Sequence, residues 1–204
     1  MTARYLPLLG LLACGPAPRQ AAPAPVPAVV PGASAPAPAS TRPSHTDADV
    51  RFMQGMIPHH QQAIEMSALV PGRTMTRDIM LLAQRITISQ EDEIAAMQRW
   101  LRDRDQPTEM DHGAHADQEM LMPGMLTRAE MDRLAVVQGV AFDRLFLEFM
   151  MRHHEGAIRM VAELFSTQGA GQDPEMFQFA SEVDADQQME IARMQRLLET
   201  LSSR

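Results

Sequence analysis

An internal repeat is the feature that most constrains what this chain can fold into. The 15 residues that begin at Phe52 match those that begin at Phe146 at seven positions, and the 12 residues that begin at Gln90 match those that begin at Gln187 at eight. All four stretches carry apolar residues at helical spacing, and none shows the alternation of a β-strand. The sequence therefore predicts two tandem helical hairpins, which bury their apolar faces best against each other in an all-α four-helix bundle.

Helix start signals and changes in composition define the expected domain boundaries. Thr127 and Glu130 have the spacing of a capping box, and Asp173 followed by Pro174 is typical of an N-cap with proline at the first helical position. We expect a helical domain over residues 47–204, made of a hairpin at 47–104, a linker rich in Met and His at 105–126, and a second hairpin at 127–204.

The N-terminal segment has the composition of a signal peptide followed by a disordered spacer. Residues 1–14 combine a charged start with an apolar run too short to span a bilayer, which is typical of a signal peptide. Their end at Cys14 resembles the lipobox of bacterial lipoproteins, in which the cysteine carries the lipid. Residues 15–46 contain nine prolines and almost no charge, so we expect a disordered spacer. The protein is then exported to the cell envelope or periplasm and anchored to the membrane through Cys14; an ordinary cleaved signal is the alternative.

Net charge and cysteine content limit the classes of binding partner and of metal ligand that this protein can have. The net charge of -8 argues against nucleic acid, because neutralising phosphates requires a basic surface, and it favours metal cations. A single cysteine cannot build a cysteine-based zinc site or a disulfide framework, so any metal must be held by His, Met and carboxylates. The sequence leaves homo-oligomerisation open.

Two His-His pairs occupy equivalent places in the repeats. On a helix of 100° per residue, His59 and His60 straddle the centre of the apolar face, and the small Ala63 leaves space one turn further on. The second copy repeats this arrangement with His153 and His154, so we expect four imidazoles to converge from two helices. A polar network that only pairs the helices is the alternative.

Duplicated carboxylates and methionines accompany these histidines. Glu93 and Glu190 lie on the apolar faces of the second helix of each hairpin, where a carboxylate is costly unless it is paired or bound to metal. We expect them to bind the metal directly or to accept an imidazole N–H. The methionines expected as ligands are Met53, Met56, Met66, Met150 and Met160. Thioether beside imidazole favours copper, with zinc or iron as alternatives, although methionine at helical spacing is also a common core residue.

The linker contains a further group of metal-binding side chains. We expect it to take up copper at the surface as a secondary metal loop, and a solvated loop without metal is the alternative. The residues concerned are Met110, His112, His115, Met120, Met122 and Met125.

One substitution makes the two copies unequal. Pro58 precedes the first His pair and should kink its helix, whereas Arg152 stands at the equivalent place in the second copy. One metal site is therefore expected to be better formed than the other. If imidazoles are ligands, copper affinity should fall below about pH 6, where protons compete for them.

Three stretches resemble the "domain of unknown function 305" family: residues 56–66, 122–127 and 142–158. The resemblance extends over residues 47–201. It implies a ferritin-like helical bundle in exported bacterial proteins, in which CopM-like members are taken to bind copper in the periplasm. It carries over to His59, His60, His153, His154 and the matching methionines.

Together these features favour a copper-binding protein of sequestration, resistance or trafficking rather than an enzyme. The enzymatic alternative is a ferritin-like di-iron oxidase, which requires Glu-x-x-His on two helices and a Glu from each of the other two. The inward carboxylates are too few for that pattern. A third possibility is a metal-free interaction module at the envelope, whose methionines adapt to apolar partners.

Overall fold

Five helices make up the part of the chain that the computed structural model describes, residues 45–109 and 121–203. No strand occurs in these two ranges. The helices are α1 Asp47–Ala68, α2 Arg77–Arg102, α3 Arg128–Val136, α4 Gly139–Ser166 and α5 Pro174–Ser202.

Side-chain caps fix where the helices begin. The predicted capping box of Thr127 and Glu130 starts α3, and Asp173 accepts hydrogen bonds from two backbone N–H groups at the start of α5; both predictions are confirmed. A third cap, formed by Thr46 and Asp49, starts α1. The second carboxylate oxygen of Asp49 accepts from the Gly171 N–H at 2.7 Å, which ties the start of α1 to the α4–α5 loop.

The long helices pack as two hairpins. α1 packs along α2, α4 packs along α5, and the hairpins meet through α1 and α4, while the short α3 lies against α4. The predicted all-α four-helix bundle is confirmed. None of the helices in the described ranges is long and apolar enough to cross a membrane.

Two apolar clusters fill the bundle, one towards each end. The Phe52 cluster combines residues 52–57 of α1 with 157–164 of α4, and the Phe146 cluster combines residues 63–70 of the α1 hairpin with 142–150 of α4. Since residue numbers rise along α1 where they fall along α4, the two helices are antiparallel. Such an arrangement agrees with the twofold pseudosymmetry of the repeat.

A polar layer lies between these clusters. On each long helix, the residues that contribute to one cluster are separated from those that contribute to the other by a stretch of mainly polar residues, two of which belong to this layer. The side chains of this layer are His59, His60, Gln90, Glu93, His153, His154, Gln187 and Glu190. Because buried polar groups are costly unless they are hydrogen-bonded or bound to a ligand, the middle of the bundle is its chemically distinctive part.

Candidate metal centre

The four histidines of the repeat are all buried in the polar layer. Their exposed fractions are 0% for His59, His60 and His154 and 1% for His153. The rings of His59 and His153 come together across the α1–α4 contact, with centroids 3.9 Å apart and planes inclined by 38°. We call these two residues the inner pair.

The other two histidines turn away from the inner pair. The ring centroid of His60 lies 6.3 Å from that of His59, and the ring centroid of His154 lies 6.2 Å from that of His153. All four rings therefore lie in one layer, but only the inner pair is in close contact. Adjacent residues on a helix point about 100° apart, which accounts for the divergence.

Each outer histidine is paired with the glutamate expected from the sequence. His60 Nε2 lies 2.5 Å from Glu93 Oε2 on α2, and His154 Nε2 lies 2.5 Å from Glu190 Oε2 on α5. The glutamate side chains are only 14% and 19% exposed, so each stands between its histidine and solvent. In this structure each glutamate therefore contacts the imidazole of one outer histidine.

A cavity of about 210 Å³ opens between α2 and α5 on the solvent side of Glu93. Its lining includes the carboxylates of Asp92, Glu93, Glu182 and Asp186. Burial raises the pKa of Asp186, and the negative charges of Glu93, Glu190 and Glu182 raise it further. The carboxylates that line this cavity attract cations to it.

The hydrogen bonds determine which ring nitrogen carries the proton. The carbonyl of Pro123 lies 3.0 Å from His59 Nε2, and a carbonyl can only accept, so Nε2 of His59 carries the hydrogen. The glutamates act in the same way on His60 and His154. In the neutral form of each of these three imidazoles, the lone pair is consequently on Nδ1.

These lone pairs have no protein partner. Among the residues that the structure describes, none hydrogen-bonds the buried Nδ1 atoms of the four histidines, and His153 lacks a partner at Nε2 as well. A buried polar atom left without a hydrogen bond costs about 1–3 kcal/mol. Five ring nitrogens without a hydrogen bond to a described residue thus lie in this one layer.

Burial keeps the inner pair uncharged. Burial, and after it the neighbouring imidazole of His60, lowers the pKa of His59 from 6.5 to about 3. The pKa of His153 is also well below 6.5, because of burial and then of the nearby imidazoles of His59 and His154. At neutral pH both rings are neutral and able to act as ligands.

The five bundle methionines expected as ligands are all buried, but they lie on both sides of the polar layer. Met53, Met56 and Met160 belong to the Phe52 cluster, whereas Met66 and Met150 belong to the Phe146 cluster. The structure thus places thioethers above and below the imidazoles. In residues 45–109 and 121–203, no three His, Cys, Asp or Glu side chains are grouped so that they could hold a metal ion together.

The secondary loop is described only at its end. Met122 packs partly buried against the Phe52 cluster, and Met125 is partly buried as well, so Met122 lies beside the bundle methionines rather than in a separate surface loop. Met110, His112, His115, Met120 and Cys14 lie outside the described residues, as do the signal peptide and nearly all of the spacer.

Sequence reasoning missed the contribution of the Pro123 carbonyl. It is separated from His59 by 64 residues along the chain, and a backbone oxygen has no residue-type signature. The preceding residue, Met122, is predicted from the sequence only as part of the linker. No pattern in the sequence indicates that this segment crosses the histidine layer.

Comparison with solved structures gives three close likenesses. A candidate secreted DUF305 protein from Streptomyces coelicolor is 30% identical, with a TM-score of 0.67 over 76% of this chain and 94% of that one. A DUF305 fragment from Deinococcus radiodurans is 31% identical, with a TM-score of 0.66 over 78% and 99%. CopM in its Cu(II)-bound form is 29% identical, with a TM-score of 0.60 over 74% and 96%, and its Cu(I)-bound form gives 0.59.

Sequence comparisons agree with these likenesses. An uncharacterized mimivirus protein, L153, is 45% identical over 56 residues, and the matched segment spans 37% of that protein's length. The family model of the domain of unknown function DUF305 matches residues 49–198. This range includes all five helices except the first two residues of α1 and the last four of α5. The ferritin-like helical fold expected from the sequence is confirmed, and the chain belongs to the DUF305 family.

Proposed function

We propose that this protein is an exported copper-binding protein, which holds the metal in the polar layer of its bundle and serves sequestration, resistance or trafficking rather than catalysis. The observation that carries the proposal is the set of buried histidine nitrogens without hydrogen-bond partners among the described residues. A metal ion would use the Nδ1 lone pairs that the protein leaves free.

The protonation state of the layer fits a metal ligand set. A metal binds the neutral imidazole, and the low pKa values of His59 and His153 keep both rings neutral. Glu93 and Glu190 would hold the outer histidines in the tautomer that presents Nδ1, in the manner of the carboxylate–histidine pairs that accompany metal sites.

The choice of copper rests on ligand softness and on relatives. Buried thioethers flank the imidazoles on both sides, and thioether with imidazole suits Cu(I), whereas carboxylate and water suit harder ions. CopM, which shares the fold at 29% identity, was solved with Cu(I), Cu(II) and silver. Silver is a soft ion like Cu(I), so the relatives support the same class of metal.

Export and anchoring are part of the proposal. A relative is named as a candidate secreted protein, and the N-terminal residues of this chain have signal-peptide composition. A lipid on Cys14 and a spacer over residues 15–46 would hold the bundle away from a membrane surface, at about 3 Å per extended residue. Copper bound there would be kept outside the cytoplasm.

Replacing the inner pair by leucine tests the copper site. The full chain, with Cys14→Ser to remove its thiol, is titrated with Cu(I) in competition with a chromophoric chelator. His59→Leu together with His153→Leu should weaken the copper bound in the bundle at least about a hundredfold, since loss of supporting groups alone typically costs 10–100-fold. The variant removes one hydrogen bond of the inner pair that the structure describes, from His59 Nε2 to the Pro123 carbonyl, so the metal-free variant should still fold.

His45→Leu is the matched control. His45 lies outside the polar layer, with its ring centroid 5.7 Å from that of Trp100, so its replacement should leave copper affinity unchanged. An inner-pair variant that binds copper like the parent chain would remove the polar layer as the site. A parent chain that binds no copper against the chelator would point to a metal-free module instead.

A further inference from the structure

The end of the linker crosses the histidine layer on the outside of the bundle. Residues 121–126, which we call the strap, are fixed at their far end by Gln62. Its side-chain N–H donates to the Leu126 carbonyl at 2.9 Å, and its side-chain oxygen accepts from the Leu126 N–H at 2.6 Å. Between residue 121 and Leu126, the Pro123 carbonyl accepts a hydrogen bond from His59 Nε2.

Glycine contacts bring the strap backbone directly onto α4. A β-carbon added at Gly156 would lie 1.9 Å from the Pro123 carbonyl oxygen, and one added at Gly124 would lie 2.5 Å from the Arg152 carbonyl oxygen. Gly124 also has a φ of 80°, which favours glycine. The close approach requires glycine on both sides, so the backbone of the strap packs directly against the backbone of α4.

The strap follows one face of α1. Its contacts are Gly55 with Met122, His59 with Pro123 and Gln62 with Leu126. The three α1 positions are spaced by four and three residues, which places them on one helix face. On α4 the contacts run the opposite way, from Met160 near Met122 to Arg152 near Gly124. The strap therefore lies in the α1–α4 groove over the inner pair.

This strap breaks the symmetry of the repeat. The inner pair lies near the pseudo-twofold axis, and one segment of chain that crosses such an axis cannot present the same group to both sides. The Pro123 carbonyl bonds His59, while neither ring nitrogen of His153 has a hydrogen-bond partner in the described ranges. The strap thus makes the surroundings of His59 and His153 unequal.

Two thioether side chains meet at the N-terminal side of the strap. A methyl group placed on Gly55 would lie 3.2 Å from Met122 Sδ and 3.6 Å from the terminal methyl carbon of Met160. Gly55 precedes His59 by one helical turn, so both methionines lie about one turn of α1 from His59. The absence of a side chain at Gly55 creates the space in which they come together.

We propose that Met122 is a ligand supplied by the strap, which together with Met160 gives a soft cation such as Cu(I) its thioether contacts beside His59. This inference rests on the proposed copper site and adds to it a coupling between metal binding and strap closure. The bound metal holds the strap on the bundle, and the strap must lift before the metal leaves. No covalent step is involved.

Met122→Leu tests the strap ligand in the full chain carrying Cys14→Ser. Leucine keeps the apolar volume but lacks sulfur. Cu(I) release to excess chelator should become on the order of tenfold faster, comparable to the effect of losing one supporting group of a metal site. The X-ray absorption spectrum of the first bound Cu(I) equivalent should show one sulfur neighbour fewer. Cu(I) should slow hydrogen exchange at the strap amides in the parent chain but not in Met122→Leu.

Met131→Leu is the control, because Met131 is a partly buried methionine of α3 that packs against the Phe146 cluster, away from Gly55. It should change neither the release rate nor the sulfur count. Gly55→Ala should speed release without removing any sulfur, since its β-carbon presses on Met122.

The outcomes separate the two proposals. An unchanged release rate and sulfur count in Met122→Leu would overturn the strap ligand, as would equal effects in Met131→Leu. If the inner-pair variant still loses copper in that case, the proposed function stands without the strap. If the inner-pair variant also retains copper, both fail.

Discussion

Lowering the pH from 7 to 5 is expected to reduce the free energy of unfolding of the metal-free protein by about 2 kcal/mol through His59 alone. The pKa of this residue is about 3 in the folded protein and 6.5 in an unfolded chain. Above pH 6.5 both states hold a neutral ring. Below it, the unfolded chain takes up a proton that the folded protein does not, so stability falls with pH. His153 contributes a loss of the same sign.

Urea unfolding of the full chain with a metal chelator, at pH 7, 6 and 5, measures this effect. The inner-pair leucine variant is the control, because it lacks both depressed groups and should lose much of the pH dependence. Carboxylates with low pKa values, such as Glu130 at about 2, add their losses mainly at lower pH. Equal pH dependence in the parent chain and the variant would contradict the burial of neutral histidines in this layer.

The same shift changes the expected pH dependence of copper binding. The sequence predicts competition by protons below about pH 6, as for ordinary imidazoles. Because the pKa of His59 is about 3 in the folded protein, proton competition at this ring should begin only at far lower pH. Copper affinity of the folded protein through the inner pair should therefore hold down to pH 5, and acid should release copper mainly by unfolding the bundle.

Gly156→Ala should destabilise the protein by about 3 kcal/mol, although the same change in a helix interior usually stabilises by about 0.5–1 kcal/mol. The added β-carbon would lie 1.9 Å from the Pro123 carbonyl oxygen and 2.5 Å from its carbonyl carbon. Both atoms are backbone, so no side chain can rotate away, and the strap must shift. Thermal or urea unfolding measures the loss.

Glu155→Ala provides the control for this substitution. Glu155 is the exposed neighbour of Gly156 on α4, and its replacement should change stability by no more than about 0.5 kcal/mol. If the strap is as tightly seated as the structure indicates, Gly156→Ala should also raise hydrogen exchange at residues 121–126. A stabilising effect of Gly156→Ala would show that the strap does not rest on α4.

Much of the architecture could be predicted from the repeat. Helical spacing of apolar residues and the duplication of whole hairpins indicated four long helices, and local capping signals at Thr127 and Asp173 located two helix starts. The burial of the four histidines and the partial burial of their glutamates also followed, because a position on a helix face is set by sequence spacing alone. Such properties depend on neighbours within a few turns.

The expectation that all four imidazoles converge needed more than helix geometry. It treated both histidines of a pair as equally inward, whereas the structure brings only His59 and His153 together and turns His60 and His154 to Glu93 and Glu190. The rotation of each helix about its axis decides which of two adjacent side chains meets its symmetry mate. That rotation depends on packing across the whole bundle.

The sequence by itself determined the helices, their duplication, and the presence of two His pairs and two glutamates in one buried layer, because all of these depend on local spacing repeated in the chain. Only the tertiary structure decided that the strap lies over His59, that the tautomers leave Nδ1 free, and that the inner pair is held neutral. These features arise from contacts between residues far apart in the chain, such as Gln62 with Leu126, and from burial produced by every helix at once. Neither the long-range contacts nor this burial can be inferred from residue spacing along the chain.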